Sequence, residues 1–188
     1  MVTTPDAVND RLFFAIRRLR DLGELNNGDL AGAQYRDKQQ LIQEFFFHLV
    51  GAVEFLAQVV NTSRVLGIDV EEVSVPTVCR SLPEGDSTRE LLEQLHPKTR
   101  GEPPPIDPYS DEGSHFRILV LRNRVCHHNH NPFHYRLVFG VGPNERSTHL
   151  SIDPRYPELG ASEKTAIDEL NHFWRSVNDK CQQVIRQL

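Results

Sequence analysis

Arg122, Asn123 and His127 lie within six residues of one another and have the side-chain types needed to work on a phosphodiester. A guanidinium makes paired hydrogen bonds to phosphoryl oxygens. An imidazole, whose ordinary pKa is about 6.5, moves protons at neutral pH. On a helix Asn123 and His127 are four apart and share a face, while Arg122 projects about 100° away from Asn123. Around them runs a stretch without acidic residues, from Glu112 to Glu145, that holds Arg117, Arg122, Arg124 and Arg136 together with His115, His127, His128, His130 and His134. Because the whole chain carries a net charge of -5 and a pI near 6.0, it would repel a polyanion except through this local positive region. Arg124, His128 and His130 are therefore candidates for holding substrate beside the three central residues.

These side chains need an element to present them, and the sequence before them reads as a helix from a Ser110 cap to about His128, stopped before Pro132. At 100° per residue Phe116, Leu119 and Val120 form one apolar face, and Ile118, Leu121 and Val125 form another on nearly the opposite side. A helix apolar on two sides is sandwiched. The expected second slice is another copy of the chain across a symmetric dimer interface. Asn123 and His127 continue the first face as it turns polar.

The remaining elements are helical for the most part. A first helix opens with Thr4 as cap and Pro5 at its first position and runs to Gly23; a second spans about Asp37 to Ser63 with Leu41, Phe45, Leu49, Ala52, Leu56 and Val59 on one face. Val70 to Leu82 reads as a short helix disturbed by Pro76, and Ser87-Thr88-Arg89-Glu90 as a capping box that opens another. Lys98 to Pro108 is a Pro-rich loop. Tyr135 to Val141 and Thr148 to Ile152 suggest a hairpin near residues 134–153 joined through Gly140, Gly142, Pro143 and Asn144, glycines that no helix follows and that therefore do not form a phosphate loop. A last helix begins near Ser162 and continues to the C-terminus. The expected fold is all-α: an up-and-down helical bundle with an inserted β-hairpin, one domain over residues 1–188.

Arg122-Asn123-Arg124-Val125-Cys126-His127 resembles the R-[polar]-x-x-x-H signature of the HEPN superfamily, many of whose members are metal-independent ribonucleases. With 17 arginines and 9 histidines in 188 residues, chance gives about 0.8 Arg/His pairs at any one spacing. An asparagine directly after the arginine lowers that to about 0.04. Arg122 meets this demand with an apolar helix in front of it. The resemblance implies a bundle in which two copies of the motif meet in a catalytic cleft across a homodimer. It implies RNA cleavage with no cofactor and no metal: the ribose 2'-hydroxyl attacks its adjacent phosphodiester and leaves a 2',3'-cyclic phosphate and a 5'-hydroxyl. His127 would be the general acid or base, Arg122 the stabiliser of phosphoryl charge and Asn123 the orienter. His128 competes with His127 for the first role. Members of the superfamily are often toxins or phage-defence nucleases, so an antitoxin or another regulatory protein is an implied partner. An inactive module that binds RNA, a nucleotide or a protein is the alternative implied by the same resemblance.

Two readings of the same segment compete with it. One is a capped helix end, where cationic side chains favour the carbonyl terminus and Asn129 or Asn131 ends the turn. The other is a metal site from Cys126 and His130 with His127, His128 and His134, although the segment has no second cysteine. Elsewhere, Glu54 and the Glu71-Glu72 pair read as solvated, and His48 and His172 as packing histidines. Cys79, Cys126 and Cys181 form no C-x-x-C pair and read as small apolar residues, which suits a reducing compartment. The start, Met1 to Ile16, lacks the pattern of a secretion signal, and the most apolar window, Phe45 to Val60, is interrupted by His48, Glu54 and Gln58. The expectation is a cytoplasmic protein with no membrane span.

Overall fold

The computed structural model describes residues 4–26, 33–128, 133–138 and 145–188, and side chains at 4–25, 36–126 and 148–188. The described chain is mainly helical: α1 (Pro5–Asn26), α2 (Ala33–Ser63), α3 (Val75–Ser81), α4 (Ser87–Leu95), α5 (Asp111–His128) and α6 (Ala166–Gln187). Two strands, β1 (Phe133–Val138) and β2 (Glu145–Leu150), pair antiparallel with Phe133 opposite Leu150 and Val138 opposite Glu145. The glycines expected to join them lie outside the described residues.

Apolar periodicity explains the long helices. In α1, Val8, Leu12, Ala15, Leu19 and Leu22 recur every three or four residues and are all buried against α2 and α6. That burial carries α1 past Gly23, which costs a helix only about 1 kcal/mol relative to alanine. Helix α2 buries Ile42, Phe45, Phe46, Leu49, Val53, Leu56 and Val60 in the same core. It is the one helix among the described residues long and apolar enough to cross a membrane, and this chain covers much of its apolar surface. Helix α6 contributes Leu170, Phe173, Val177, Cys181 and Val184, and its Trp174 donates an indole hydrogen bond to the Leu12 carbonyl at 2.9 Å.

Three expectations about helix starts need correction. Pro76 does not disturb a helix begun at Val70; it occupies the first turn of α3, where a missing N–H costs nothing, and Ser74 and Thr77 cap each other there in a reciprocal box. Conversely, α4 is capped by Asp86, whose carboxylate accepts from the amides of Thr88 and Arg89, so Ser87 is already helical. Helix α6 likewise starts later than Ser162, on a Thr165 cap.

Helix α5 is covered on both apolar faces within one chain. Ile118, Leu121 and Val125 join the main core, while Phe116 and Val120 are 3% and 4% exposed outside it. The Arg155 guanidinium lies 4.9 Å over the Phe116 ring, held by Asp153, and the Pro103–Ile106 segment lines a cavity with Phe116. The two-sided helix therefore does not itself require a second copy. Its partner on that side is the chain's own loop between α4 and α5 and the segment after β2.

Candidate functional site

Helix α5 begins on the Ser110 hydroxyl, which accepts from the Gly113 amide at 3.0 Å, and carries Asp111 and Glu112 in its first turn, where the positive end of the helix favours carboxylates. Every residue from Gly113 to Leu121 is buried. After the exposed first turn, exposure resumes only in the last third of the helix: Arg122 is half-buried, Asn123 exposed and Arg124 half-buried. The polar cluster thus emerges where packing stops. Arg122 Nη1 donates to Asn123 Oδ1 at 3.0 Å; the long arginine stem bridges the angular step that separates neighbouring helical positions.

A second helix holds this end in place. Gln43 of α2 donates from Nε2 to the Val125 carbonyl at 3.2 Å, and Cys126 Sγ lies 3.6 Å from the Gln43 carbonyl as donor. Burial pushes the Cys126 thiol up, with Arg122 opposing the shift, so the sulfur stays protonated and engaged with backbone. A metal ligand would need the thiolate. His127 and His128 end α5, but their side chains, like all of His130 and the side chain of His134, lie outside the described residues. Among the described residues no three histidine, cysteine or acidic side chains are arranged to hold a metal ion.

The structure brings together Arg122 and Asn123, with Arg124 next to them, and it removes two groups from the positive stretch. Arg117 is buried in a bidentate pair with Glu169 of α6: Nη1 meets Oε1, and Nη2 meets Oε2 at 3.1 Å. Its Nε donates to the Ile152 carbonyl at 2.9 Å and its Nη2 to the Ser151 carbonyl at 3.0 Å. Ser162 Oγ donates to Glu169 Oε1 at 3.0 Å and lies 3.3 Å from the Tyr109 hydroxyl. This network fastens the segment after β2 to α5 and α6 and has no charge left for a polyanion. Sequence reasoning missed it, because the two partners are 52 positions apart. His115 is the second group removed: it is 1% exposed, and burial and Lys180 lower its pKa to about 4, so it is neutral at pH 7.

The other singled-out residues sit as follows. Glu54 is half-buried with His96 3.9 Å away, and Glu71 and Glu72 are exposed. His48 is half-buried, its Nδ1 3.2 Å from Arg11 Nη1 and its ring against Phe14 and Phe47. His172 meets the Ser114 hydroxyl at 3.2 Å. Cys79 and Cys181 are buried free thiols pushed up by burial to about 11 and about 12.

Compared with known proteins, the chain matches no family model, no curated protein and no solved structure. The chemistry of its own residues is therefore the ground for a functional reading. An arginine and an amide at an exposed helix end, with an imidazole one turn further along the same helix, have the donors to bind a phosphodiester and the group to move its protons.

Proposed function

We propose that this chain is an up-and-down helical bundle with an inserted hairpin, and that two copies form a metal-independent endoribonuclease of the HEPN kind. The observation that carries the reading is the Arg122–Asn123 pair at the solvent-facing end of α5, four residues before His127 on the same helix. His127 removes the proton from the ribose 2'-hydroxyl as its oxygen bonds to phosphorus. The bond from phosphorus to the 5'-oxygen breaks, and that oxygen takes up a proton from the second imidazole of the cleft. Arg122 balances the charge on the phosphoryl oxygens, and Asn123 holds the guanidinium in position. Arg124, His128 and His130 contact the flanking RNA backbone.

Pairing of two copies draws support from Phe47, which is 53% exposed and lies one turn after Gln43, the residue bonded to the end of α5. A symmetric contact there would cover the aromatic ring and bring the two Arg122 ends together. A cytoplasmic setting and restraint by an antitoxin-like protein fit an RNA-cleaving activity that must be controlled.

The test is cleavage of a mixed-sequence RNA in the presence of chelator. The parent leaves 2',3'-cyclic phosphate ends and leaves DNA intact, since DNA lacks the attacking hydroxyl. Arg122→Ala and His127→Ala each lower the rate by about 100-fold or more. RNA retention by parent and variants alike without cleavage turns the reading into that of an inactive binding module. Cleavage of DNA that requires a divalent metal refutes both.

A further inference from the structure

A cavity of about 530 Å³ is lined by α3, α4 and the chain just after α4, a size that suits a small organic molecule. Its floor is apolar: Val75 and Cys79 of α3 are 1% and 6% exposed, with Pro76 and Pro97 beside them. The Cys79 thiol adds no charge at pH 7, since burial pushes it up to about 11. The rim is cationic, although the whole chain carries a net charge of -5. Arg80 stands on α3, and Lys98 and Arg100 on the segment after α4. Both supports are fixed. Ser74 and Thr77 lock the start of α3, and Arg80 Nε donates to the Pro76 carbonyl at 3.2 Å, which ties the guanidinium down by its inner nitrogen and leaves its Nη groups to bind elsewhere. The Thr99 carbonyl, between Lys98 and Arg100, accepts from Arg155 Nη1 at 2.8 Å.

We infer that this cavity binds a small amphipathic carboxylate, its aliphatic body on Val75, Pro76 and Cys79 and its head held by Arg80 and Arg100. Charge selects the head. Glu93, the acid among the lining residues, is engaged by Arg89 at 2.8 Å, and Lys98 by Glu102 at 3.0 Å, whereas no ion pair to Arg80 or Arg100 occurs among the described residues. A guanidinium with free Nη groups matches the two oxygens of a carboxylate in plane. The floor selects the body. A small inorganic anion would leave Val75 and the prolines facing water, while each methylene buried against them tightens binding about fourfold. A nucleotide fits less well, since no Phe, Tyr or Trp lines the cavity to stack its base.

The experiment titrates the full chain with sodium octanoate and follows the Val75 methyl resonances by carbon–proton NMR. Sodium acetate, which lacks the tail, and octylammonium chloride, which reverses the head, are titrated at matched ionic strength. Octanoate should move the Val75 methyls along a saturating curve, and its affinity should fall about tenfold or more in the Arg80→Gln, Arg100→Gln double variant, whose exposed positions leave the fold intact. Acetate and octylammonium should each bind at least about tenfold more weakly than octanoate. Equal octanoate affinity in parent and double variant overturns the inference, as do octylammonium or acetate binding as tightly as octanoate, absence of saturable octanoate binding, or Val75 methyls that stay still while other resonances saturate. None of these outcomes bears on RNA cleavage at Arg122.

Discussion

Arg117 and His115 are two helical turns or less from the candidate site, and both are held in the interior, which decides how each responds to substitution. The Arg117 guanidinium has Glu169 and two backbone carbonyls as partners, so removing either charge strands the other in a dry environment. Glu169→Ala should cost about 3–5 kcal/mol in a urea unfolding series, and an Arg117→Met, Glu169→Leu double variant should cost less than either single change. A double variant less stable than both singles would show that the backbone contacts of Arg117, not the pair, hold the segment after β2. For His115 the sign follows from protonation. Burial first, then Lys180, lower its folded pKa to about 4, against opposition from Asp111, so the unfolded chain binds the extra proton. Its contribution is complete above the unfolded pKa of about 6.5 and disappears as pH falls toward 4, a loss on the order of 3 kcal/mol. Thermal midpoints between pH 7 and pH 4 should fall less steeply in His115→Gln than in the parent. Parallel curves would place the acid sensitivity elsewhere.

The start of α5 is set by one glycine. A Cβ on Gly113 would stand 2.1 Å from the Asp107 carbonyl oxygen and 2.8 Å from the Pro108 carbonyl carbon, so the turn before the helix closes directly over it. The Asp107 carbonyl also accepts at 2.8 Å from the hydroxyl of Ser110, the residue that caps the helix. Gly113→Ala should therefore lower stability by about 1–3 kcal/mol, measured by urea unfolding, against the gain of about 1 kcal/mol that alanine brings to an ordinary helical position. A stabilised variant would mean the turn yields easily. What is legible in the sequence follows the same division between local and remote causes. The apolar stripes of α2 and α6 and the Ser110 cap depend on neighbours three or four positions away, and they are legible in sequence. Pro76 was harder, because a proline at the first turn and one inside a helix look alike until the Ser74–Thr77 box is located. The Arg117–Glu169 pair and the covering of Phe116 by Arg155 join residues dozens of positions apart, and no periodicity announces them. At the candidate site the sequence placed Arg122 and Asn123 at the polar end of a buried helix, but it also counted Arg117 and His115 as available positive groups, which only their burial corrects.

Folding leaves an aromatic surface open on α1 and α2. Phe13, Phe14 and Phe47 are 56%, 39% and 53% exposed on α1 and α2, and their rings run on through His48: Phe13 to Phe14 at 5.8 Å, Phe14 to His48 at 5.3 Å, Phe47 to His48 at 5.4 Å. Arg11 lies 5.1 Å over the Phe47 ring and keeps one side of the patch charged. Because α5 is already covered on both faces, the proposed dimer finds its apolar contact on this surface and not on the helix that carries the motif. Sedimentation should then give a particle of twice 21.5 kDa. Phe13→Asp with Phe47→Asp should shift it to the monomer and lower RNA cleavage about 100-fold or more, although Arg122 and His127 remain, because a paired cleft needs the second imidazole for the leaving oxygen. A monomeric double variant that cleaves at the parental rate would confine the chemistry to one chain and discard the shared cleft. A parent that is monomeric yet active would have the same consequence without any substitution.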